Sequence, residues 1–422
     1  MTSSQICPDW PHLLKLDATS VVSSEAAISD QYPVSDFNCD DARMEIAFHY
    51  IWQRDKQAQI LDNSLGMSLG ALVVDLTVSL PSRALEVEKI VFLIEAPRGD
   101  CADWLQLLKA PSSNSLCQEN ISMLQKEIDT CVKFCSCETT EDEVSFLPTR
   151  LINLKGPENP HLVILKDHSP RNDFDCGKFK YAALSYCWGP PKDTESMLKT
   201  TKESLQSRLS GIVNGDMPLV FRDAISVCEK LSIPYLWIDA LCIVQDDEKE
   251  WQQEASQMGK VYENAFVTIV PSASRSCKEG FVQRSRQTFE VPFGSTIRQE
   301  IHGEYYLRQV TSYDLHSHLA QETYYLEDNS TRWDSRGWTF QEEALSRRIL
   351  KFGPLMVYYD CPKWRRFEVT DIRRKSFGFP ERWGLGLTGP GAYKAWDEIT
   401  SSFACRHFRY RKDIFPAISE MA

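Results

Sequence analysis

Tyr235-Leu-Trp-Ile-Asp-Ala-Leu-Cys-Ile-Val-Gln-Asp-Asp247 decides how the chain is read. Tyr235 to Ile238 is an apolar run between Pro234 and Asp239, too short for a helix and without polar alternation, which predicts a strand buried on both faces. Upstream, Pro218 opens a helix whose apolar positions Phe221, Ala224, Ile225, Cys228 and Leu231 follow the 3,4 spacing of a buried face. Downstream, a helix is predicted from about Asp247 to Asn264, with Asp246 or Asp247 placed to cap it. Phe266–Val270 then returns as a strand before Pro271. Leu162–Leu165, Tyr181–Cys187 and Arg347–Phe352 read as further strands. Strands alternating with helices predict an α/β fold with a mostly parallel sheet flanked by helices.

The chain before this region has a different texture. Residues 1–40 are rich in Ser, Asp and Pro without periodicity and read as a loosely ordered leader. Residues 41–146 read as a small β-rich and helical region, with strand-like Met44–Tyr50, Ala71–Val78 and Lys89–Ile94 and helix-like Trp104–Leu108 and Ile121–Val132. Acidic Glu138–Glu143 marks the boundary of the main domain, expected at 147–352, with 353–422 as an extension.

Composition narrows the classes. Of 422 residues 42% are hydrophobic and 25% charged, so the chain has the means to bury a core. A net charge of −12 argues against nucleic-acid binding, which needs a concentrated positive face. No apolar run approaches the roughly 20 residues of a membrane span; Gly70–Leu80 comes nearest and Asp75 interrupts it. The 14 cysteines are scattered as in a reduced, cytoplasmic protein. Cys131, Cys135 and Cys137 form a tight group, but no second Cys/His pair stands at zinc-site spacing, so they read as free thiols and no metal is expected.

In an open parallel sheet, ligands bind beyond the carboxyl ends of strands. Those ends therefore supply the candidates. Trp188 and Gly189 follow the Tyr181 strand, a stacking side chain on a sharp turn. Asp239, Cys242 and Gln245 follow the Tyr235 strand. Arg332–Leu345 crowds Arg336, Trp338, Gln341 and Glu342 around Gly337, with Gln341 and Glu342 expected at a helix surface. On a continuous 247–264 helix, Trp251, Ala255, Met258, Val261, Tyr262 and Ala265 fall on one stripe with Glu254 inside it. A carboxylate on the core side needs a partner or a solvent-lined pocket, and Arg336 or Arg222 could supply the partner. Glu254 and Asp239 are the catalytic candidates. No phosphate loop, dinucleotide glycine fingerprint, His-Glu-x-x-His or Gly-x-Ser-x-Gly is present.

Tyr181-Ala-Ala-Leu-Ser-Tyr-Cys-Trp-Gly189, the Tyr235–Asp247 stretch continuing through Trp251, Glu254, Met258, Tyr262 and Ala265, and Arg336-Gly-Trp-Thr-Phe-Gln-Glu342 with Leu345, Ser346 and Arg348 together resemble the HET (heterokaryon incompatibility) domain of filamentous fungi. Trp396 and Asp413–Ser419 resemble a segment that often follows it, but Glu420 stands where that pattern has Gly, and the extension is expected to be short or truncated. The resemblance implies a cytoplasmic effector of nonself recognition leading to programmed cell death. It also implies protein partners of an incompatibility system and self-assembly. Through likeness to TIR domains, some of which cleave NAD, it implies NAD as a substrate, with Glu254 stabilising the ribose cation and Trp188 or Trp338 as platform. A secondary-metabolite pathway catalyst is the other enzymatic reading.

Overall fold

The computed structural model describes residues 32–33, 43–54, 67–80, 83–84, 88–105, 107–135, 146–155, 160–165, 180–284, 288–295, 298–310, 331–369, 373–375, 390–408, 411 and 414–419. The expected leader, apart from 32–33, lies outside these residues, as do Cys137, Glu138–Glu143, Asp413 and Glu420. Two compact units divide the chain, Met1–Pro111 with Ser285–Glu327, and Ser112–Arg284 with Asp328–Ala422. The division thus falls earlier than residue 146, and a segment from within the main domain joins the N-terminal unit.

The first unit is a sheet in the order β1 (Tyr32–Pro33), β2 (Arg43–Arg54), β3 (Met67–Leu80), β5 (Glu88–Ala96), β13 (His302–Val310), β12 (Thr288–Gly294). Short β4 (Arg83–Ala84) pairs with β3, and β6 (Leu108–Lys109) runs parallel to β5. The expected strands all fall within it. β12 is an edge strand, which is why it tolerates Pro292. Helix α1 (Asp100–Leu105) buries Cys101, Ala102 and Leu105 with Ile94, Phe293 and Tyr305. The Arg308 guanidinium forks onto buried Glu95 across the β13–β5 pair.

The second unit holds a sheet in the order β17-β16-β15-β14-β11-β9-β10-β7-β8. β14 (Ile349–Phe352), β11 (Val267–Val270), β9 (Tyr181–Leu184) and β10 (Tyr235–Trp237) run parallel at its centre. β15 (Val357–Asp360), β16 (Trp364–Phe367) and β17 (Arg373–Lys375) continue antiparallel on one side, β7 (Arg150–Asn153) and β8 (His161–Ile164) on the other. The expectation of a mostly parallel sheet is corrected: the sheet is mixed, and parallel only in the middle. The reason is loop length, because links such as 353–356 and 361–363 are far shorter than a parallel crossover requires.

Helix α2 (Gln118–Phe134) buries Ile121, Leu124, Ile128 and Cys131 in the same core. Three helices then lead through the β9–β10 crossover, α3 (Pro191–Glu195), α4 (Leu205–Ser210) and α5 (Leu219–Lys230). In α5 Pro218 stands at the N-cap, and Phe221, Ala224, Ile225 and Cys228 are buried as their spacing predicts. Short α6 (Asp239–Cys242) follows β10 directly. The helix expected over 247–264 is two helices, α7 (Glu248–Ala255) and α8 (Met258–Asn264). Ser256 turns its hydroxyl back to the Gln253 carbonyl at 2.7 Å and ends α7. Asp247 caps it, accepting from the Lys249 and Glu250 N–H groups. Finally α9 (Gly337–Leu345) carries Phe340 into contact with Ile399 and Phe403 of α10 (Pro390–Ala404) and Ala417 of α11 (Pro416–Ser419), so the C-terminal extension packs onto the same unit.

From β9 the chain moves to β10 on one side, recrosses to β11 on the other and continues outward to β14. The connections leaving β9 and β11 diverge, and in open α/β sheets the crevice outside the carboxyl ends of the strands at such a point is where ligands bind. Among the described residues, no helix is long and apolar enough to cross a membrane.

Candidate functional site

The crevice is furnished by the residues that follow β9. The Ser185 N–H still pairs with the Ile269 carbonyl of β11 at 3.0 Å, which fixes the chain as it leaves the sheet. The Ser185 hydroxyl accepts from Trp333 Nε1 at 2.8 Å and donates to a carboxylate oxygen of Glu342. Trp333 is fully buried behind it. The Tyr186 carbonyl accepts from Arg336, and Trp188 Nε1 donates to Asp239 Oδ2 at 2.8 Å. Asp239 opens α6, where its other oxygen accepts from the Ala240 N–H at 2.6 Å. Trp188, Asp239, Arg336 and Glu342 are thus joined through two strand ends and the start of α9. Trp188, Asp239 and Arg336 are half-buried, and Glu342 lies deeper.

Charge in this centre is set by burial against pairing. Burial raises the Asp239 carboxyl, opposed by hydrogen bonds from Trp188, Tyr186 and Ala240 and by the Arg336 cation. Burial pushes Glu342 up to about 7, against Arg336 and the Ser185 hydroxyl, while the Asp239 charge adds to the rise. For Arg336, burial works against the charge, but Cys187, Glu342 and Asp239 outweigh it and its pKa goes up. The arrangement holds a fixed cation beside two carboxyls, one of which exchanges its proton near neutral pH, the property of a general acid–base group.

Gly189 makes the turn out of β9 with φ +99°. A β-carbon there would come within 2.6 Å of Ser276 Oγ and 3.1 Å of the Ser276 Cα. Ser276 is itself held by Asp193 Oδ2, to which it donates at 2.6 Å, so it cannot step aside cheaply. Gly189→Ala is expected to cost about 1–3 kcal/mol from backbone strain and overpacking, read as a lower midpoint in urea unfolding. An unchanged midpoint would refute this account of the turn.

The other candidates sit elsewhere. Glu254 is the buried residue of α7, and Thr149 donates to its Oε1 at 2.6 Å. Thr149 precedes β7, whose antiparallel register to β10 puts it at the same edge of the sheet as Asp239. Arg150 beside it grips Glu250 with both guanidinium nitrogens, at 2.6 and 3.0 Å. Cys242 is buried with its sulfur accepting from the Ile238 N–H at 3.5 Å, and burial pushes its thiol up to about 12, so it is protonated at neutral pH. Gln245 spends its amide on the Asp239 and Ile243 carbonyls, bracing the turn that presents Asp239. Trp338 packs with the Phe340 and Phe403 cluster. Gln341 and Glu342 are buried, where a helix surface was expected, because α10 and the ends of β9 cover α9.

Three contributors escaped the sequence reading. Ser185 and Tyr262 touch Glu342, and Thr200 straps the Asp239 turn by donating to the Leu241 carbonyl at 2.6 Å. Ser185 lies inside the quoted Tyr181–Gly189 stretch, but only Trp333, far along the chain, shows what its hydroxyl does. Among the described residues, Cys131, Cys135 and Cys361 are the group that could hold a metal. They stand at the opposite edge of the sheet.

No curated protein and no solved structure matches the chain. Residues 181–342 match the family model described as Heterokaryon incompatibility protein (HET). That span starts at β9, takes in β10 and β11 and ends within α9, on Glu342 itself. Residues 181–342 of the chain are thus a heterokaryon incompatibility (HET) domain.

Proposed function

We propose that this protein is an effector of fungal nonself recognition, and that its output to cell death is a hydrolysis carried out at the crevice between β9, β10 and α9. The observation that carries this reading is the pairing of Asp239 and Glu342 around Arg336, with Glu342 titrating near neutrality. A perturbed carboxyl beside a fixed cation and a half-open tryptophan favours chemistry at this point over contact alone.

NAD is the substrate class this chemistry suits. The bond between the ribose C1′ and the nicotinamide nitrogen breaks, and its electron pair leaves with neutral nicotinamide. The cationic ribose is stabilised by a carboxylate, water adds at C1′, and one water proton passes to the carboxylate and then to solvent. The products are nicotinamide, ADP-ribose and a proton. Arg336 offers charge for a phosphate, and Trp188 a face for stacking. Glu254 is the third carboxylate at this edge and the alternative stabiliser.

Expression of the wild type in a fungal host is expected to arrest growth, and Asp239→Asn to restore it while the protein still unfolds cooperatively. Arrest by Asp239→Asn equal to wild type would remove the crevice from the mechanism. Glu254→Gln assigns the roles: arrest retained leaves Asp239 and Glu342 as the working pair, and arrest lost with the fold intact brings Glu254 into it.

A further inference from the structure

The thiols of α2 have a partner that the local sequence does not show. Cys131 lies in the last turn of α2 and Cys135 just past its end, four residues on and therefore on the same face. Cys361 comes from the turn between β15 and β16, where its N–H bonds the Trp364 carbonyl at 3.0 Å. The three sulfurs lie within 4.8 Å of one another, and all three residues are buried. Tetrahedral thiolate coordination of zinc, with Zn–S near 2.3 Å, spaces sulfurs about 3.8 Å apart, so the set needs only a small contraction to close on an ion.

Two further groups point to what the set holds. Arg348, buried just before β14, donates from Nε to Cys131 Sγ at 3.4 Å. The Tyr359 hydroxyl, fully buried beside the Cys131 and Cys361 sulfurs, has no hydrogen bond of good geometry. A thiol is a poor acceptor for either donor, whereas a metal-bound thiolate is a strong one. Charge selects the ion as well. Three thiolates and a divalent cation sum to −1, which the Arg348 guanidinium cancels, while a monovalent ion would leave a buried negative charge.

We infer that Cys131, Cys135 and Cys361 form a structural site for a thiophilic divalent ion, zinc foremost, which ties the end of α2 to the β15–β16 hairpin. Binding exchanges three S–H bonds for three S–Zn bonds and releases three protons. The hairpin already reaches toward the helix, with Trp364 Nε1 on Glu127 at 2.9 Å and Lys363 Nζ on the Phe134 carbonyl at 3.3 Å. Arg348 and Phe266 precede β14 and β11, so this edge is opposite the crevice and the site is independent of the proposed hydrolysis.

The test is elemental analysis of the full chain purified under reduction from zinc-supplemented and, separately, copper-supplemented cultures, after dialysis against metal-free buffer. About one equivalent of zinc is expected in the wild type and in Cys405→Ser, whose cysteine is exposed, with at least a tenfold loss in Cys361→Ser. Should Cys361→Ser fail to fold, cobalt titration of the reduced wild type decides: thiolate-to-cobalt charge transfer and intense visible bands support the site. Metal-free protein that gives no cobalt spectrum overturns it. Zinc retained by folded Cys361→Ser, copper in place of zinc, or a Cys131–Cys361 disulfide in protein purified without reductant and holding no metal overturns it too.

Discussion

Relative to Glu342→Gln, the wild type is expected to lose about 3 kcal/mol of unfolding free energy as pH rises from below 4.5 to above 7. Burial carries the Glu342 carboxyl from its ordinary 4.5 to about 7. Between those values the folded chain keeps a proton that the unfolded chain has shed, so stability falls with rising pH. The contribution is fully present below about 4.5 and gone above about 7. Glutamine keeps the shape and carries no titrating proton. Denaturant unfolding of the pair at pH 5 and pH 8, followed by tryptophan fluorescence, measures the change. A difference between the two proteins that does not vary with pH would mean that Glu342 is not held in the environment described here.

Arg284→Met is expected to destabilise the second unit by about 3–5 kcal/mol, because it strands a buried carboxylate. Arg284 places one guanidinium nitrogen 3.0 Å from each oxygen of Glu368, and both side chains are almost fully buried. Glu368 also accepts from Asn120 Nδ2 at 3.1 Å and from the Val357 N–H at 2.7 Å, so one carboxylate joins α2, β15 and the strand-end loop. Adding Glu368→Gln to Arg284→Met removes the unpaired charge but keeps an acceptor for Asn120 and Val357. The double variant is expected to recover at least half of the loss. Equal destabilisation of single and double variants would show that packing of the arginine stem, not charge, is what matters.

What could be read from the residues was local. Tyr235–Trp237 announces itself as a buried strand because Pro234 and Asp239 bound an unbroken apolar run, and Asp247 announces the helix it caps. The antiparallel flanks were hidden, since strand direction is set by loop length and distant pairing rather than by apolar content. Likewise β12 and β13 read as part of the main domain until their register with β5 appears. Glu254 was singled out on a continuous helix, and it is buried as that stripe implies, although the helix breaks at Ser256. Glu342 gave the opposite case: its neighbours on α9 suggest a surface, and only Ser185 and Trp333, arriving from β9 and the loop before α9, show that it is enclosed. The third thiol beside Cys131 and Cys135 was out of reach for the same reason, being more than two hundred residues downstream.

These contrasts bear on how the family's domain should be probed. Side chains that hold the crevice together, such as Gln245 and Thr200, act through the backbone turn that presents Asp239, so their loss should disturb position before chemistry. Substitutions at Asp239 and Glu342 change charge at the centre itself. The most direct measurement is nicotinamide release from NAD by concentrated, assembled protein near pH 7, comparing wild type with Glu342→Gln. The account predicts release by the wild type and a loss of at least about 100-fold in the variant, the scale of a positioned acid–base group. No release from the assembled wild type, or equal release by a folded Glu342→Gln, would contradict it.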